Sequence, residues 1–250
     1  MTSPARSIWD RPSVAHQYDD EFCGCSIALD PTWSAVEGSF TIATPIDPYA
    51  AFAAGDSRLN LSTRRMSWLM IQPIGTAPAP ATNSATLTLV KTIAPPANFA
   101  VWARFSYNHR FSTATSNNDF TIGIVLSADP YDKDNRICVF LNESDVGVIQ
   151  IEFLKAVGGV LTSIGVTTNL GINDHTIFEG VLIQCFGATD TYHAWAITNN
   201  GSMIYLGSTT FATTIETMGF WIADSVTTAP GNMIVGVDFI RFVEGTTFLP

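Results

Sequence analysis

Charged residues are scarce in this sequence, and basic residues are the scarcest. Only 14% of the 250 residues are charged, and 12 Lys and Arg stand against 22 Asp and Glu, which gives a formal net charge of -10. Proteins that bind nucleic acid need a basic surface, because contacts with phosphates supply most of their affinity. The composition therefore predicts no nucleic-acid partner and no binding to an anionic membrane surface.

Long apolar runs are also missing. No window approaches the roughly 18 consecutive apolar residues that suggest a membrane-spanning helix. The N-terminus lacks the apolar core of a signal peptide, so we expect no export by the general secretory route. The apolar content of 46% nevertheless excludes a disordered chain, and the length allows a sizeable core.

Cysteine and histidine are too sparse to indicate a metal site. The four cysteines are Cys23, Cys25, Cys138 and Cys185, and no second pair follows Cys23 and Cys25 at the spacing of a zinc site. Cys138 and Cys185 lie in apolar runs, which predicts that both are buried. A disulfide from Cys23 or Cys25 to a neighbouring chain stays an alternative. The four histidines, which are His16, His109, His175 and His193, share no spacing that suggests a metal site.

The sequence is rich in the two-residue alternation of β-strands. In segment 99–105 one face carries Phe99, Val101, Ala103 and Phe105, and the other carries Trp102 and Arg104. Further alternating runs include 120–126, 149–153 and 235–243, the last with Val235, Val237, Phe239 and Val243 on one face. The turn residues Asn199-Asn-Gly201 predict a tight hairpin. More than ten short strands predict an all-β antiparallel two-sheet jelly-roll sandwich over residues 15–250, preceded by an extended arm over 1–14.

Several segments resemble, in the correct order, the concanavalin A-like lectin and glucanase jelly rolls. The resemblance starts with the acidic-aromatic run Tyr18–Phe22 and the segment Leu29–Trp33. It continues with strand-like segments at Asn118–Leu126, Tyr192–Ser202, Met218–Ile222 and Val237–Val243. The resemblance implies two stacked antiparallel sheets but no particular function. We interpret Asp19 and Asp20 as part of a solvated acidic run beside the first strand.

Glucanases of this superfamily carry three carboxylates, Glu-x-Asp-x-Glu, on one strand. The similar segment here is Val148–Phe153, which places Val148 at the nucleophile, Gln150 at the middle Asp and Glu152 at the acid/base. Retaining hydrolysis needs two carboxyl groups about 5–5.5 Å apart. Only one carboxylate survives in this comparison, so the sequence predicts no catalytic residue and no enzyme activity.

A binding site is an alternative use of the same surface. We expect one ligand-binding face made of Trp102, Arg104, Gln150, Glu152 and Trp195, because sugars stack on aromatic rings and hydrogen-bond to planar polar groups. A second set, the oxygen-bearing loop residues Asp129, Asp132, Asp134 and Asn135, suggests calcium or an ordinary turn. No other cofactor or metal is expected.

The N-terminal arm carries Arg6, Trp9 and Arg11, residue types that are favoured as anchors at interfaces. Sandwiches of this superfamily are frequent in bacteriophage virions. We therefore predict a non-catalytic virion structural protein, a capsid decoration or a head or tail fibre component, which docks to other virion subunits such as major capsid or tail proteins. A homo-oligomer is expected. The alternatives are a glycan-binding module for host adhesion and a degenerate glycoside hydrolase.

Overall fold

The computed structural model describes residues 16–20, 33–37, 40–42, 58–64, 68–74, 84–109, 118–144, 148–168, 180–187, 190–198, 202–226 and 233–245. These residues form fifteen β-strands: β1 (Ser34–Glu37), β2 (Phe40–Ile42), β3 (Arg58–Arg64), β4 (Trp68–Ile74), β5 (Ser84–Thr92), β6 (Asn98–His109), β7 (Asn118–Ser127), β8 (Arg136–Ser144), β9 (Val148–Val157), β10 (Val160–Thr168), β11 (Gly180–Phe186), β12 (Thr191–Ile197), β13 (Met203–Thr210), β14 (Thr217–Val226) and β15 (Met233–Glu244).

The strands build two sheets. The seven-stranded sheet has the order β1-β5-β14-β7-β8-β9-β10, and the eight-stranded sheet has the order β13-β12-β11-β6-β15-β4-β3-β2. Neighbouring strands are antiparallel except for β2 and β3, which pair in parallel. This is the two-sheet jelly-roll sandwich that the sequence predicts. No helix in the described segments is long and apolar enough to cross a membrane.

The core lies between the two sheets because alternate side chains of the described strands point inward. On β6 the inward residues are Phe99, Val101, Ala103 and Phe105, as the alternation predicts. They face residues of the seven-stranded sheet, among them Ile122, Ile124, Val139, Phe153 and Phe220. Fully burying one such side chain contributes roughly 1.5–3 kcal/mol, so this layer supplies most of the stability.

Cys138 and Cys185 are both buried free cysteines, which confirms their predicted place. Cys185 lies in the core between the sheets, whereas Cys138 lies on the outer side of the seven-stranded sheet. Burial raises the pKa of the Cys138 thiol to about 11. Neither thiol is therefore ionised at neutral pH, and both act as small apolar residues.

A β-bulge in the last strand reverses the alternation of its side chains. Val237 pairs with Phe105 and Phe239 pairs with Arg104, so one extra residue lies between two consecutive positions of β6. As a result Val237 and Ile240 face the core, and Phe239 lies on the outer surface. The prediction that Val237 and Phe239 share a face is wrong. The spacing of apolar residues in the sequence did not indicate the bulge that separates them.

Two edge strands, β10 and β13, meet at one side of the sandwich. Each contains a register shift. In β10 it lies between Ser163 and Gly165, and in β13 it lies between the partners of the β12 residues Ala194 and Trp195. A side chain on Gly165 would overlap the backbone carbonyl of Leu206, so only glycine permits this approach. The bulges also interrupt the regular edges that could otherwise pair with another chain.

Residues 16–20 are hydrogen-bonded to the last strand, β15. Asp20 exchanges two backbone hydrogen bonds with Ile240, each 2.9 Å long. The Asp20 carboxylate accepts a hydrogen bond from Trp33 Nε1 at 2.7 Å, and Asp19 accepts one from the backbone N–H of Phe242 at 2.8 Å. The interpretation of these acidic residues as a solvated run is wrong. Asp19 and Asp20 join the segment 16–20 to β15.

Candidate functional site

Each sheet has an outer face that carries a cluster of apolar and aromatic side chains. The cluster on the seven-stranded sheet consists of Val125, Cys138, Phe140 and Leu154 with Tyr131 and Trp221 against it. The cluster on the eight-stranded sheet consists of Ala100, Trp102, Leu182, Trp195, Ile197 and Phe239 with Met203 against it. Outward positions of a sandwich usually alternate to polar residues, so aromatic side chains at these positions need an explanation.

On the seven-stranded sheet, one row of residues runs across six strands: Thr88, Trp221, Gly123, Phe140, Glu152 and Val166. The rings of Trp221 and Phe140 meet edge to face with centroids 5.4 Å apart. They stand on either side of Gly123, where any side chain would overlap the backbone of the adjacent strand. Trp221 and Glu152 are half-buried and Val166 is 51% exposed, so this row reaches solvent.

Arg136 holds Trp221 in place. Its guanidinium carbon lies 4.7 Å from the centroid of the Trp221 ring, and its Nη1 donates a hydrogen bond to the Tyr131 hydroxyl at 2.6 Å. Cation–π contacts of this kind contribute about 0.5–2 kcal/mol, more when they are desolvated. Because Arg136 is buried, these contacts fix the orientation of the tryptophan before any ligand arrives.

Two polar side chains lie beside the aromatic row on the same face. They are Thr121 on β7 and Gln150 on β9. Hydroxyl and amide groups both donate and accept hydrogen bonds, as sugar hydroxyls do. Gln150 is half-buried, so the surface here combines an aromatic ring, a carboxylate and an amide.

No second carboxylate adjoins Glu152 on this face. Its eight neighbouring positions are Phe140 and Val166 across the strands, Gln150 and Leu154 along β9, and Cys138, Asn142, Ser163 and Thr168 on the diagonals. Glycosidases need two carboxyl groups about 5–9.5 Å apart, depending on mechanism. None of the positions adjoining Glu152 in the sheet register carries a carboxylate.

The outer face of the eight-stranded sheet carries a larger packed cluster, which includes two buried tryptophans. Its central row consists of Arg241, Trp102, Leu182, Trp195 and Tyr205. Trp102 and Trp195 are each only 5% exposed, and the Trp102 ring meets Phe239 edge to face at 4.7 Å. Arg241 lies over both of those rings, 5.5 Å from the centroid of Trp102 and 4.3 Å from that of Phe239. Tyr205 alone in this row is open, with 52% exposure.

His193 belongs to this packed face. Its ring stacks on Trp195 at 5.9 Å, meets Phe186 edge to face at 5.2 Å, and places Nδ1 2.9 Å from the Tyr205 hydroxyl. Burial lowers the pKa of His193 below its usual value of 6.5. The imidazole is therefore neutral at pH 7.

Gln184 belongs to β11. It lies opposite His193 of β12 on one side and opposite Ala100 of β6 on the other. Its side chain is fully buried. Neither the nitrogen nor the oxygen of its amide has a hydrogen-bond partner. Buried amides are almost always hydrogen-bonded, so Gln184 is an exception that requires a reason.

The structure divides the five residues that the sequence assigns to one ligand face. Trp102, Arg104 and Trp195 come from the eight-stranded sheet, whereas Gln150 and Glu152 come from the seven-stranded sheet. All five point outward, so the whole sandwich lies between the two groups. The prediction of a single face is wrong. Alternation tells which residues of a strand share a face, but it does not tell which sheet the strand joins.

Trp221 is the site residue that the sequence reasoning missed. It lies on β14, where Met218 and Phe220 are fully buried in the core. Alternation from those two residues places Trp221 on the outward face, so the signal was present within the strand. Its place on the same outer face as Gln150 and Glu152 follows only from the order of strands β14, β7, β8 and β9.

The loop that suggests calcium forms a hydrogen-bonded turn. Asp132 accepts hydrogen bonds from Asn135 Nδ2 at 2.8 Å and from the backbone N–H of Asp134 at 2.9 Å, and these bonds lower the pKa of Asp132. Asn135 Oδ1 accepts the backbone N–H of Gly158 at 3.0 Å, which ties the loop to the β9–β10 hairpin. Within the described segments, no three His, Cys, Asp or Glu residues are grouped to hold a metal ion.

Other predicted residues lie outside the described segments. These are the arm residues Arg6, Trp9 and Arg11 and the cysteines Cys23 and Cys25. Their proposed roles in docking and disulfide formation stay predictions.

Comparisons with known proteins bear on the fold. Neither protein-family profiles nor curated protein sequences match this chain. Solved structures do match it. The CBM2 module of the evolved Dit of Lactobacillus casei BL23 phage J-1 has a TM-score of 0.59 and 11% identity, over 92% of this chain and 96% of that one. An endo-1,3-beta-glucanase from Streptomyces sioyaensis has a TM-score of 0.55 and 12% identity, over 98% and 100%.

The GH43 protein BlXynB from Bacillus licheniformis also matches, with a TM-score of 0.55 and 13% identity over 93% of this chain. The chain spans only 40% of that larger protein. This chain has the concanavalin A-like jelly-roll fold, as the order of its sequence segments implies. At such low identity the similarity concerns the fold, which is shared by hydrolases and binding modules.

Proposed function

We propose that this chain is a non-catalytic structural protein of a bacteriophage virion, displayed on the particle surface and docked to other virion subunits. The observation that carries the proposal is the match to the phage Dit module, which extends over 96% of that module and 92% of this chain. The correspondence is between one whole phage module and nearly the whole of this chain. The high negative charge suits a displayed protein, because it favours solubility.

The surroundings of Glu152 support the proposed absence of catalysis. Its neighbouring positions on the sheet carry amide, hydroxyl, thiol and apolar residues, whereas hydrolysis of a glycosidic bond uses a pair of carboxyl groups.

A second function, glycan binding during host adhesion, is favoured by the outer face of the seven-stranded sheet. A half-buried Trp221, oriented by Arg136, lies in the row beside Thr121 and Gln150. Aromatic rings with adjacent hydrogen-bonding groups are the usual elements of a sugar-binding surface. The two proposed functions are compatible, since a displayed module can also adhere.

Mass spectrometry of purified phage particles tests the virion proposal. We expect the chain in stoichiometric amounts, and we expect loss of incorporation when residues 1–14 with Arg6, Trp9 and Arg11 are deleted. The melting temperature of the truncated chain should be unchanged, which separates docking from folding. Particles that lack the wild-type chain would contradict the virion proposal, and normal incorporation of the truncated chain would contradict docking by the arm.

A glycan array with the purified chain tests the second function. We expect binding of a neutral oligosaccharide that is weakened at least tenfold by Trp221→Ala, a loss of about 1.4 kcal/mol. Val160→Ala, at the exposed tip of the β9–β10 hairpin on the same sheet, serves as the control and should bind normally. A wild-type chain that binds no glycan contradicts this function and leaves the virion proposal intact.

A further inference from the structure

Gln184 is the least satisfied polar side chain in the described part of the molecule. Both amide atoms are buried and have no hydrogen-bond partner. Each buried polar group without a partner destabilises a folded protein, because water solvates that group in the unfolded chain. A methionine of similar size at this position would avoid the loss. The amide of Gln184 therefore has hydrogen-bonding capacity that the free chain does not use.

The surroundings of Gln184 form one side of an aromatic cluster. Across the strands stand the small side chain of Ala100 and the ring of His193, and along β11 stand Leu182 and Phe186. Phe186 and His193 meet edge to face, so their rings form a wall beside the amide. Beyond His193, the ring of Tyr205 stacks at 5.9 Å and is half exposed to solvent. The cluster therefore extends from a buried amide to an open tyrosine at the sheet edge.

No charged group adjoins the amide on this face. The eight positions around Gln184 are Ala100, His193, Leu182, Phe186, Asn98, Trp102, Thr191 and Trp195. His193 is the single titratable side chain among them, and its burial keeps it neutral at pH 7. An amide offers one donor and one acceptor in a fixed geometry, which matches two adjacent hydroxyl groups. The rings of His193 and Tyr205 provide apolar surfaces for the carbon-bound hydrogens of a sugar.

We propose that Gln184, His193 and Tyr205 form a second carbohydrate subsite, on the outer face of the eight-stranded sheet, which takes a neutral sugar and excludes acidic ones. The proposal rests on the proposed glycan-binding function and adds a second location and a ligand class to it. Tyr205 and His193 contact the sugar ring, and Gln184 accepts and donates hydrogen bonds to two neighbouring hydroxyls. Because Gln184 is covered in the free chain, the ligand reaches it only when the rings of Phe186 and His193 move apart.

The decisive variant is Gln184→Met, which keeps the volume and removes the amide. We expect its melting temperature without ligand to rise by roughly 3–8 °C, because the unpartnered groups are gone. Its affinity for neutral gluco- and galacto-oligosaccharides, measured by calorimetry, should fall at least tenfold. Leu182→Met, a volume-conserving change at the next outward position of the same strand, controls for repacking and should alter neither quantity.

The outcomes separate this subsite from the function on which it rests. Normal affinity of Gln184→Met together with lost affinity of Trp221→Ala overturns the subsite and leaves glycan binding on the other face intact. A lower melting temperature of Gln184→Met also overturns the subsite, because the amide then has a partner in the free chain. Equal binding of oligouronates and neutral oligosaccharides overturns the stated ligand class. A wild-type chain that binds no sugar at all overturns both the subsite and the glycan-binding function on which it rests.

Discussion

The two outer faces of the sandwich carry similar residue types but have different physical characters. On the eight-stranded sheet Trp102 and Trp195 are buried to 5% exposure, packed against Phe239 and Arg241. On the seven-stranded sheet Trp221 is half-buried and is flanked by polar positions. Tryptophan content therefore does not by itself identify a binding surface. Exposure and the chemistry of adjacent positions make the difference.

The contrast also concerns the cationic side chains. Arg136 and Arg241 each cover a tryptophan ring, at 4.7 Å and 5.5 Å from the ring centroid. Arg241 belongs to a continuous packed layer, whereas Arg136 orients one ring at the margin of an open row. The same interaction stabilises a layer in one case and orients a surface side chain in the other.

The largest expected effect is that of Trp195→Ala. Removal of a buried indole from the packed face should lower the free energy of unfolding by about 3–5 kcal/mol, because the transfer term and a cavity term add. Urea unfolding followed by circular dichroism measures it. If the free energy of unfolding fell by less than about 1.5 kcal/mol, the outer face of the eight-stranded sheet would not be packed like a core. The two outer faces would then not differ in packing.

Trp221→Ala should have a smaller effect on stability and a larger effect on binding. The ring is only half-buried, so we expect a loss of roughly 1–2 kcal/mol from burial and from the contact with Arg136. Urea unfolding of this variant beside Trp195→Ala makes the comparison direct. Equal destabilisation by the two substitutions would mean that the seven-stranded face is also a closed layer.

Acid should weaken the eight-stranded face through His193. Its pKa is 6.5 in the unfolded chain and lower in the folded one, because burial disfavours the charged ring. Below pH 6.5 the unfolded chain binds more protons at His193 than the folded chain does. The contribution of neutral His193 to stability is therefore complete above pH 6.5, and it declines as the pH falls from 6.5 to the pKa of the folded state. His193→Phe should reduce the slope of stability against pH between 7 and 5. An unchanged slope would assign the dependence to other groups.

Glu152→Gln should have the smallest effect. Glu152 has Phe140 and Val166 across the strands and no adjoining carboxylate, so the substitution should change stability by less than about 0.5 kcal/mol. Reducing-sugar assays on β-glucans should give no release from wild type or variant. Release by the wild type that is lost in the variant would restore the hydrolase interpretation and identify Glu152 as its acid/base.

The alternation of residues determined the strands and the inward and outward sides of most of them. Local patterns account for the alternation from Phe99 to Phe105, the antiparallel pairing of β12 with β13, and the burial of Cys138 and Cys185. These features could be predicted because the period of a strand and the chemistry of a turn are properties of neighbouring residues. The bulge before Phe239 could not, because an inserted residue changes the pairing without changing the apolar content.

Only the tertiary structure decided which strands lie side by side and which outer surfaces stay open. Gln150 and Glu152 share an outer face with Trp221 rather than with Trp102 because β9 joins the sheet of β14, at a distance in sequence that no local pattern spans. The burial of Trp195 and the unpartnered amide of Gln184 are likewise properties of packing. Sequence by itself determined that this chain folds as an acidic jelly-roll sandwich. The pairing of distant strands, set by the burial of both sheets against one core, determined which residues share each outer face.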